Sequence, residues 1–166
     1  LDNLVKLNQN RKHAIIVPSR HFDGTNALVR TPVPNLKTRY DDFINSAGDN
    51  LEGREQAHAP SYQYSLGANI QLGNNIDFGL NILGKDSFYF SDSHGVQSNA
   101  YHLINANLSY TWEDWKVMLW GRNLTDEDYF VRGFYFGNDP RDNYLSKGYT
   151  QLGEPARIGV TINLDF

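Results

Sequence analysis

Three consecutive acidic residues, Asp126-Glu127-Asp128, form the densest group in the chain that could hold a cation or exchange a proton. The run lacks the glycine and the distal glutamate of a calcium loop, so it reads as a solvated or lumen-facing acidic turn. The five histidines, His13, His21, His58, His94 and His102, are scattered, and none falls in an H-E-x-x-H helix or a tight ligand cluster. His94 sits in a polar stretch and is a candidate ligand contact, although an exposed surface imidazole has the same signature. The polar, aromatic run Gly137 to Tyr144 offers Arg141, Asp142 and Tyr144 as further candidate contacts, because loops on a rigid scaffold concentrate binding residues. A plain surface loop would have the same composition. No G-x-S-x-G elbow, P-loop or dinucleotide fingerprint is present, so no catalytic or cofactor-binding residue is assigned. With no cysteine there is neither a thiolate metal site nor a disulfide framework, and no metal ligand is assigned. Asn107-Leu108-Ser109 and Asn123-Leu124-Thr125 match the glycosylation sequon by chance in a strand context. The net charge of -4 gives no basic face for nucleic acid.

The elements that would carry these residues are strands. From Tyr62, the positions Tyr64, Leu66, Ala68, Ile70 and Leu72 alternate with Gln63, Ser65, Gly67, Asn69 and Gln71. Such a run is long enough to cross a bilayer as a tilted strand of about 9–11 residues, whereas a globular strand averages about 5–6. Gly73-Asn74 is a two-residue hairpin signal. Ile76, Phe78, Leu80 and Ile82 open a second strand that extends toward Phe88 or Phe90, and Ser91 to Ser98 reads as a loop. His102, Ile104, Ala106, Leu108, Tyr110 and Trp112 line one face of a third strand, which ends at the tight turn Glu113-Asp114. In Trp115 to Arg122 both Val117/Leu119 and Met118/Trp120 are apolar, so periodicity alone does not choose its lipid face. The pattern blurs across residues 125–128, resumes at Tyr129 to Phe136, and gives way to a long polar loop, Asn138 to Lys147. After Pro155 the alternation of Ile158, Val160, Ile162, Leu164 and Phe166 is the cleanest in the chain.

Tight turns and long connections alternate, as in an up-and-down barrel with short periplasmic turns and long extracellular loops. That parity places Phe166 on the periplasmic side together with Tyr110, Trp112 and Trp115, an expected aromatic girdle. The expected fold is therefore all-β: an antiparallel up-and-down meander forming part of a transmembrane β-barrel. The mean hydropathy of -0.56 does not oppose this, because every second residue of such a strand faces a polar lumen. No stretch approaches the roughly 20 apolar residues of a spanning helix.

Three segments carry a family resemblance: Thr38-Arg39-Tyr40-Asp41-Asp42-Phe43 leading to Gly53 through Pro60, Gly121-Arg122-Asn123-Leu124-Thr125-Asp126-Glu127-Asp128-Tyr129, and Gly153 through Phe166. In this order they resemble the carboxy-terminal barrel region of TonB-dependent outer-membrane receptors. The resemblance covers residues 36–166. It implies a barrel of about twenty-two strands around an amino-terminal plug, located in the bacterial outer membrane. The implied activity is uptake of a scarce small nutrient (a ferric siderophore, cobalamin or a glycan), driven by the TonB complex acting on the plug. The implied partners are outer-membrane lipid and the barrel-assembly machinery, which would read Ile158, Val160, Ile162, Leu164 and Phe166 as an assembly signal. Physically, an unpaired edge strand is a template for strand addition.

Residues 1–35 depart from the family pattern and are expected to be irregular or truncated. Asn10 to Val17 and Asp23 to Val29 faintly resemble a hairpin that Pro32 and Pro34 interrupt. The chain begins at Leu1 with no secretory signal over Leu1 to Asn10, and about six strands are legible against the eight of the smallest complete barrels. The expectation is a fragment that does not transport by itself. The competing expectations are a complete small outer-membrane barrel serving as an adhesin or structural protein, and a soluble β-sandwich that binds glycans. A membrane enzyme on a barrel comes last, for want of a nucleophile motif.

Overall fold

The computed structural model of the chain describes residues 10–11 and 36–165. Most of the segment 1–35, and Phe166 at the end of the expected assembly signal, lie outside the described residues. The chain is all-β with antiparallel pairing throughout. The strands are β1 (Asn10–Arg11), β2 (Leu36–Lys37), β3 (Gln63–Leu72), β4 (Ile76–Lys85), β5 (Phe88–Tyr89), β6 (Gln97–Ser98), β7 (Tyr101–Trp112), β8 (Trp115–Arg122), β9 (Phe130–Phe136), β10 (Lys147–Leu152) and β11 (Arg157–Leu164). Among the described residues one 3-10 turn, Pro140–Asp142, lies between β9 and β10.

β1 and β2 pair in a two-stranded sheet of their own; the main sheet has the order β3-β4-β7-β8-β11, and two further short sheets, β5-β6 and β9-β10, lie beyond it. These last two are extensions of hairpins already in the main sheet. Lys85 pairs with Tyr101, and Phe88 pairs with Ser98 on the same register, so β4–β5 and β6–β7 are two limbs of one long hairpin. Likewise β8 and β9 face β11 and β10, with Arg122 opposite Arg157 and Phe130 opposite Leu152. Residues 36–165 thus form a consecutive up-and-down meander of five long strands, one fewer than the six expected, because Trp115 to Arg122 and Tyr129 to Phe136 are two halves of one interrupted strand.

The break between β8 and β9 is built rather than frayed. Residues 123–129 bulge against the shorter run 153–156, and Asn123 organises the bulge from a left-handed φ of 47°. Only 3% exposed, Asn123 receives Glu127 N–H on its Oδ1 at 2.9 Å and donates from Nδ2 to Glu127 O at 2.9 Å and Glu154 O at 3.0 Å. Its backbone N–H reaches Asn105 Oδ1 at 2.9 Å on β7. One amide therefore replaces the ladder bonds that the bulge removes, since buried backbone polar groups require partners. Asp126 completes the turn by accepting Ala156 N–H at 2.8 Å.

Two further details differ from the sequence expectation. Leu72 pairs with Ile76, so the first turn has three residues, Gly73, Asn74 and Asn75, not two. Gly73 takes φ 75°, and Asn75 O accepts Thr111 N–H at 2.8 Å, which ties the third turn residue to the neighbouring strand. Glu113-Asp114 is a true two-residue turn, with Trp112 opposite Trp115. The second difference is β10, which the sequence did not reveal: all six of its residues are exposed, so no buried face imprints a period on them.

Removing the Asn123 amide deletes three hydrogen bonds made by a side chain that is itself buried. Asn123→Ala is expected to destabilise the β8–β11 hairpin by about 1–3 kcal/mol. Hydrogen exchange should show faster amides at Leu124, Glu127 and Gly153, with the β3–β4 ladder unchanged.

Candidate functional site

The register sorts the main sheet into two chemically different faces. One carries Leu66, Ala68, Ile70 and Leu72 on β3, and Ile76, Phe78, Leu80 and Ile82 on β4. It continues through Ile104, Ala106, Leu108, Tyr110 and Trp112 on β7 to Trp115, Val117 and Leu119 on β8. Ile158, Val160, Ile162 and Leu164 complete it on β11. Pairing Val117 with Tyr110 and Leu119 with Leu108 puts Val117 and Leu119 on this face and Met118 and Trp120 on the other, which resolves the ambiguity of β8. Among the described residues nothing covers it: Ile158, Val160 and Ile162 are 74%, 61% and 60% exposed. Tyr110, Trp112 and Trp115 gather at its tight-turn end, where Leu164 of β11 also lies.

His102 is the one basic side chain among the strand residues of this face. Tyr64 solves its hydrogen bonding from two strands away: the Tyr64 ring lies across Gly84, where a Cβ would collide with it, and its hydroxyl meets His102 Nδ1 at 2.8 Å. The opposite face carries Gln63, Ser65, Asn69, Gln71, Asp77, Asn81, Asn105, Asn107 and Arg122, interspersed with Leu83, Leu103, Met118 and Trp120. No helix among the described residues is long and apolar enough to cross a membrane, a statement that does not concern strands.

The buried apolar residues lie elsewhere. Tyr40, Leu51, Phe88 and Phe90 are the buried hydrophobics among the described residues, and all sit at or beyond the long-loop end of the sheet. Residues 38–60 fold there onto the β5–β6 hairpin. Arg54 Nη2 donates to the carbonyls of Ser91 and, at 2.8 Å, His94, while its guanidinium lies 4.0 Å from the centre of the Tyr89 ring. Asn45 Nδ2 reaches Asp92 O at 3.1 Å, and His58 N–H reaches Tyr89 O at 2.8 Å. The β9–β10 hairpin closes over this layer: Phe134 approaches His58 with ring centres 5.9 Å apart, and Phe130 meets Phe90 edge-on at 5.8 Å. Gly133 is required where Phe90 presses against the β9 backbone.

His94 belongs to this cap. Its ring packs edge-on against Tyr135 at 4.4 Å, and its Nδ1 accepts Val96 N–H at 3.0 Å. That bond puts the neutral ring's proton on Nε2, which is enclosed with no hydrogen-bond partner, as is Arg54 Nε. Burial, with help from the Arg54 charge, holds the His94 pKa below its usual value. The same is true of His58, where burial acts first and Arg132 and Lys85 add to it.

The remaining candidates are arranged differently. Arg141 pairs with Asp139 through Nη2 and Oδ2 at 2.8 Å and Nε and Oδ1 at 2.9 Å, which holds the Asp139 carboxyl below the usual carboxylate range. Asp142 pairs with Lys147. These ion pairs fix the β9–β10 tip internally, and Tyr144 projects from it at 63% exposure. No hydrogen bond or ring contact among the described residues joins His94 to Arg141, Asp142 or Tyr144. Asp126 serves the bulge, and no three His, Cys, Asp or Glu among the described residues are grouped to hold a metal ion. The sequence reading missed Arg54, His58 and Tyr135 as cap residues. The run Gly53 to Pro60 signalled Arg54 and His58 only as part of a motif, and nothing signalled Tyr135. No family model and no solved structure matches the chain.

Both depressed histidines act with the same sign on the cap. A folded-state pKa below the unfolded value of 6.5 means stability that is present above that pH and lost as pH falls through the folded value. Acidification from about pH 7.5 to about pH 5 is therefore expected to weaken the cap, because protonating either ring adds charge beside Arg54, Arg132 and Lys85. Hydrogen exchange should then accelerate across residues 38–60 and 88–98 while the β7–β8 ladder stays protected, and His58→Gln should reduce the effect.

Proposed function

We propose that this chain is a wall segment of a bacterial outer-membrane β-barrel of the TonB-dependent receptor class, working in nutrient uptake. The observation that carries the reading is the uncovered apolar face across five consecutive antiparallel strands, backed by a polar face. A buried Val, Leu or Ile side chain contributes about 1.5–3 kcal/mol, so leaving Ile158, Val160 and Ile162 largely in water forgoes roughly 3–6 kcal/mol. That loss is comparable with the whole stability of a small domain, about 5–15 kcal/mol. Lipid is the surrounding that removes it.

Strand length supports the same reading. β3, β4 and β7 have 10, 10 and 12 residues, against the roughly 9–11 that span a bilayer when tilted. Aromatic residues cluster at the tight-turn end, and the long hairpins extend from the other, the asymmetry of outer-membrane barrels. A soluble β-sandwich would place its apolar face against a second sheet, and none of the described residues forms one. A complete small barrel would pair β3 with β11, whereas these are the two edges of the sheet. The open edges favour a larger barrel whose further strands flank this segment.

In this reading the cap built from residues 38–60, β5–β6 and β9–β10 faces the outside, and His94, Arg141, Asp142 and Tyr144 belong to the surface that meets the nutrient. Ile158, Val160, Ile162 and Leu164 form the edge offered to the barrel-assembly machinery, with Phe166 as the closing residue of that signal. Coupling to the TonB complex would run through the plug of the whole receptor, so transport is a property of that receptor and not of this wall segment alone.

The two faces give a direct test. Val160→Arg on the apolar face should reduce folding stability in lipid vesicles by about 2–4 kcal/mol, the cost of a cation near the bilayer midplane. Asn69→Arg on the polar face should change it by less than about 1 kcal/mol. Equal effects, measured by urea titration in vesicles, would overturn the membrane assignment.

A further inference from the structure

The polar face carries a shaped site that the transport reading does not by itself require. The register sets Asn69, Gly79, Asn107, Trp120 and Gly159 in one row across five strands. Asn107 and Trp120 are direct partners on β7 and β8, yet their side chains diverge. A Cβ at Gly79 would collide with the Asn107 amide, so Asn107 leans over β4. A Cβ at Gly159 would collide with the six-membered ring of Trp120, so Trp120 leans the other way, over β11. The divergence opens a trough of about 450 Å3 between them, floored by backbone at Ala106 and Gly121 and edged by Asn81, Asn105, Met118, Arg122 and Thr161.

We propose that this trough is a subsite for a neutral oligosaccharide. The inference rests on the preceding reading in one respect, that this face lines an aqueous lumen. Trp120 is held as a fixed plate: Gly159 lies beneath its ring, and its Nε1 donates to Thr161 Oγ1 at 3.1 Å. A fixed indole gives the C–H face of a pyranose a flat apolar support at little entropic cost. Asn107 brings an amide that both donates and accepts, which matches a hydroxyl that does the same. Asn81 commits one N–H to Ser65 Oγ at 3.1 Å and keeps its carbonyl oxygen for a second hydroxyl. No carboxylate edges the trough. Its one cation, Arg122, sits 5.6 Å from the Trp120 ring centre, so a compact anion would meet a single engaged charge rather than a cluster. The volume falls within the usual range for ligand sites, about 300–1,000 Å3.

The chain has three tryptophans, and Trp112 and Trp115 lie on the apolar face. In a Trp112→Phe, Trp115→Phe background, Trp120 becomes the sole indole and reports on the trough. The experiment titrates this protein, in micelles of an amine-oxide detergent without a sugar headgroup, with maltotriose, cellotriose, chitotriose, citrate and inorganic phosphate. At least one trisaccharide is expected to shift Trp120 emission saturably, while citrate and phosphate do not. Asn107→Leu removes an exposed amide without touching a ladder bond, and should weaken that binding more than tenfold. Gly159→Ala, which displaces the indole, should weaken it too. No response to any trisaccharide, a response to the anions instead, or full binding by Asn107→Leu would overturn the proposal. Quenching of Trp112 and Trp115 in the unsubstituted protein by brominated lipid separates the two readings. Quenching without sugar binding removes only the subsite, and sugar binding without quenching removes the membrane assignment and leaves the subsite standing.

Discussion

Everything in this molecule depends on one register of antiparallel hydrogen bonds that runs unbroken from β3 to β11. The ladder satisfies the backbone, and because side chains alternate, it also commits every second residue of five strands to a single face. A slip of one residue in any pair would send a whole strand of Ile, Leu and Val to the polar side. The match of Ile70 with Phe78, Leu108, Leu119 and Val160 along one row shows how consistently the sequence holds that register. Glycines at positions 79, 84 and 159 let larger neighbours lie flat across the sheet.

The consequence is an inversion of the usual arrangement. In a water-soluble β protein the sheet's apolar face is the core. Here the core is the aromatic layer at the loop end, around Phe88 and Phe90, and the sheet's apolar face has no protein against it among the described residues. Two kinds of surface are therefore built into one chain: an uncovered apolar band across the sheet, and a cap that holds itself together by ring contacts and Arg54. The Asn123 bulge separates them on the β8–β11 hairpin, ending the regular strand before the chain turns over the cap.

Much of the sheet was legible in the sequence because burial on one side imprints period two. Ile158 to Leu164 and Tyr64 to Leu72 announce their faces without help. Trp115 to Arg122 does not, because Trp120 and Met118 are as apolar as Val117 and Leu119; only pairing with β7 decides it. β10 left no trace, since Lys147 to Leu152 are exposed on both sides. The cap was illegible for a different reason. Arg54, His58, Phe90 and Tyr135 are brought together by contacts between distant segments, and no local spacing encodes such contacts. The carboxylates 126–128 were legible as a turn, because they lack the glycine and distal glutamate of a calcium loop, and Asp126 closes that turn by accepting Ala156 N–H.

The most direct test of the membrane reading is the accessibility of single spin labels placed in turn at residues 103 to 109 of β7, in lipid vesicles. Labels at 104, 106 and 108 should collide preferentially with oxygen, which partitions into lipid, and labels at 103, 105, 107 and 109 with a water-soluble nickel complex. A clean period of two, out of phase between the reagents, is the expected result. Equal nickel access on both faces would place the sheet in water and contradict the reading.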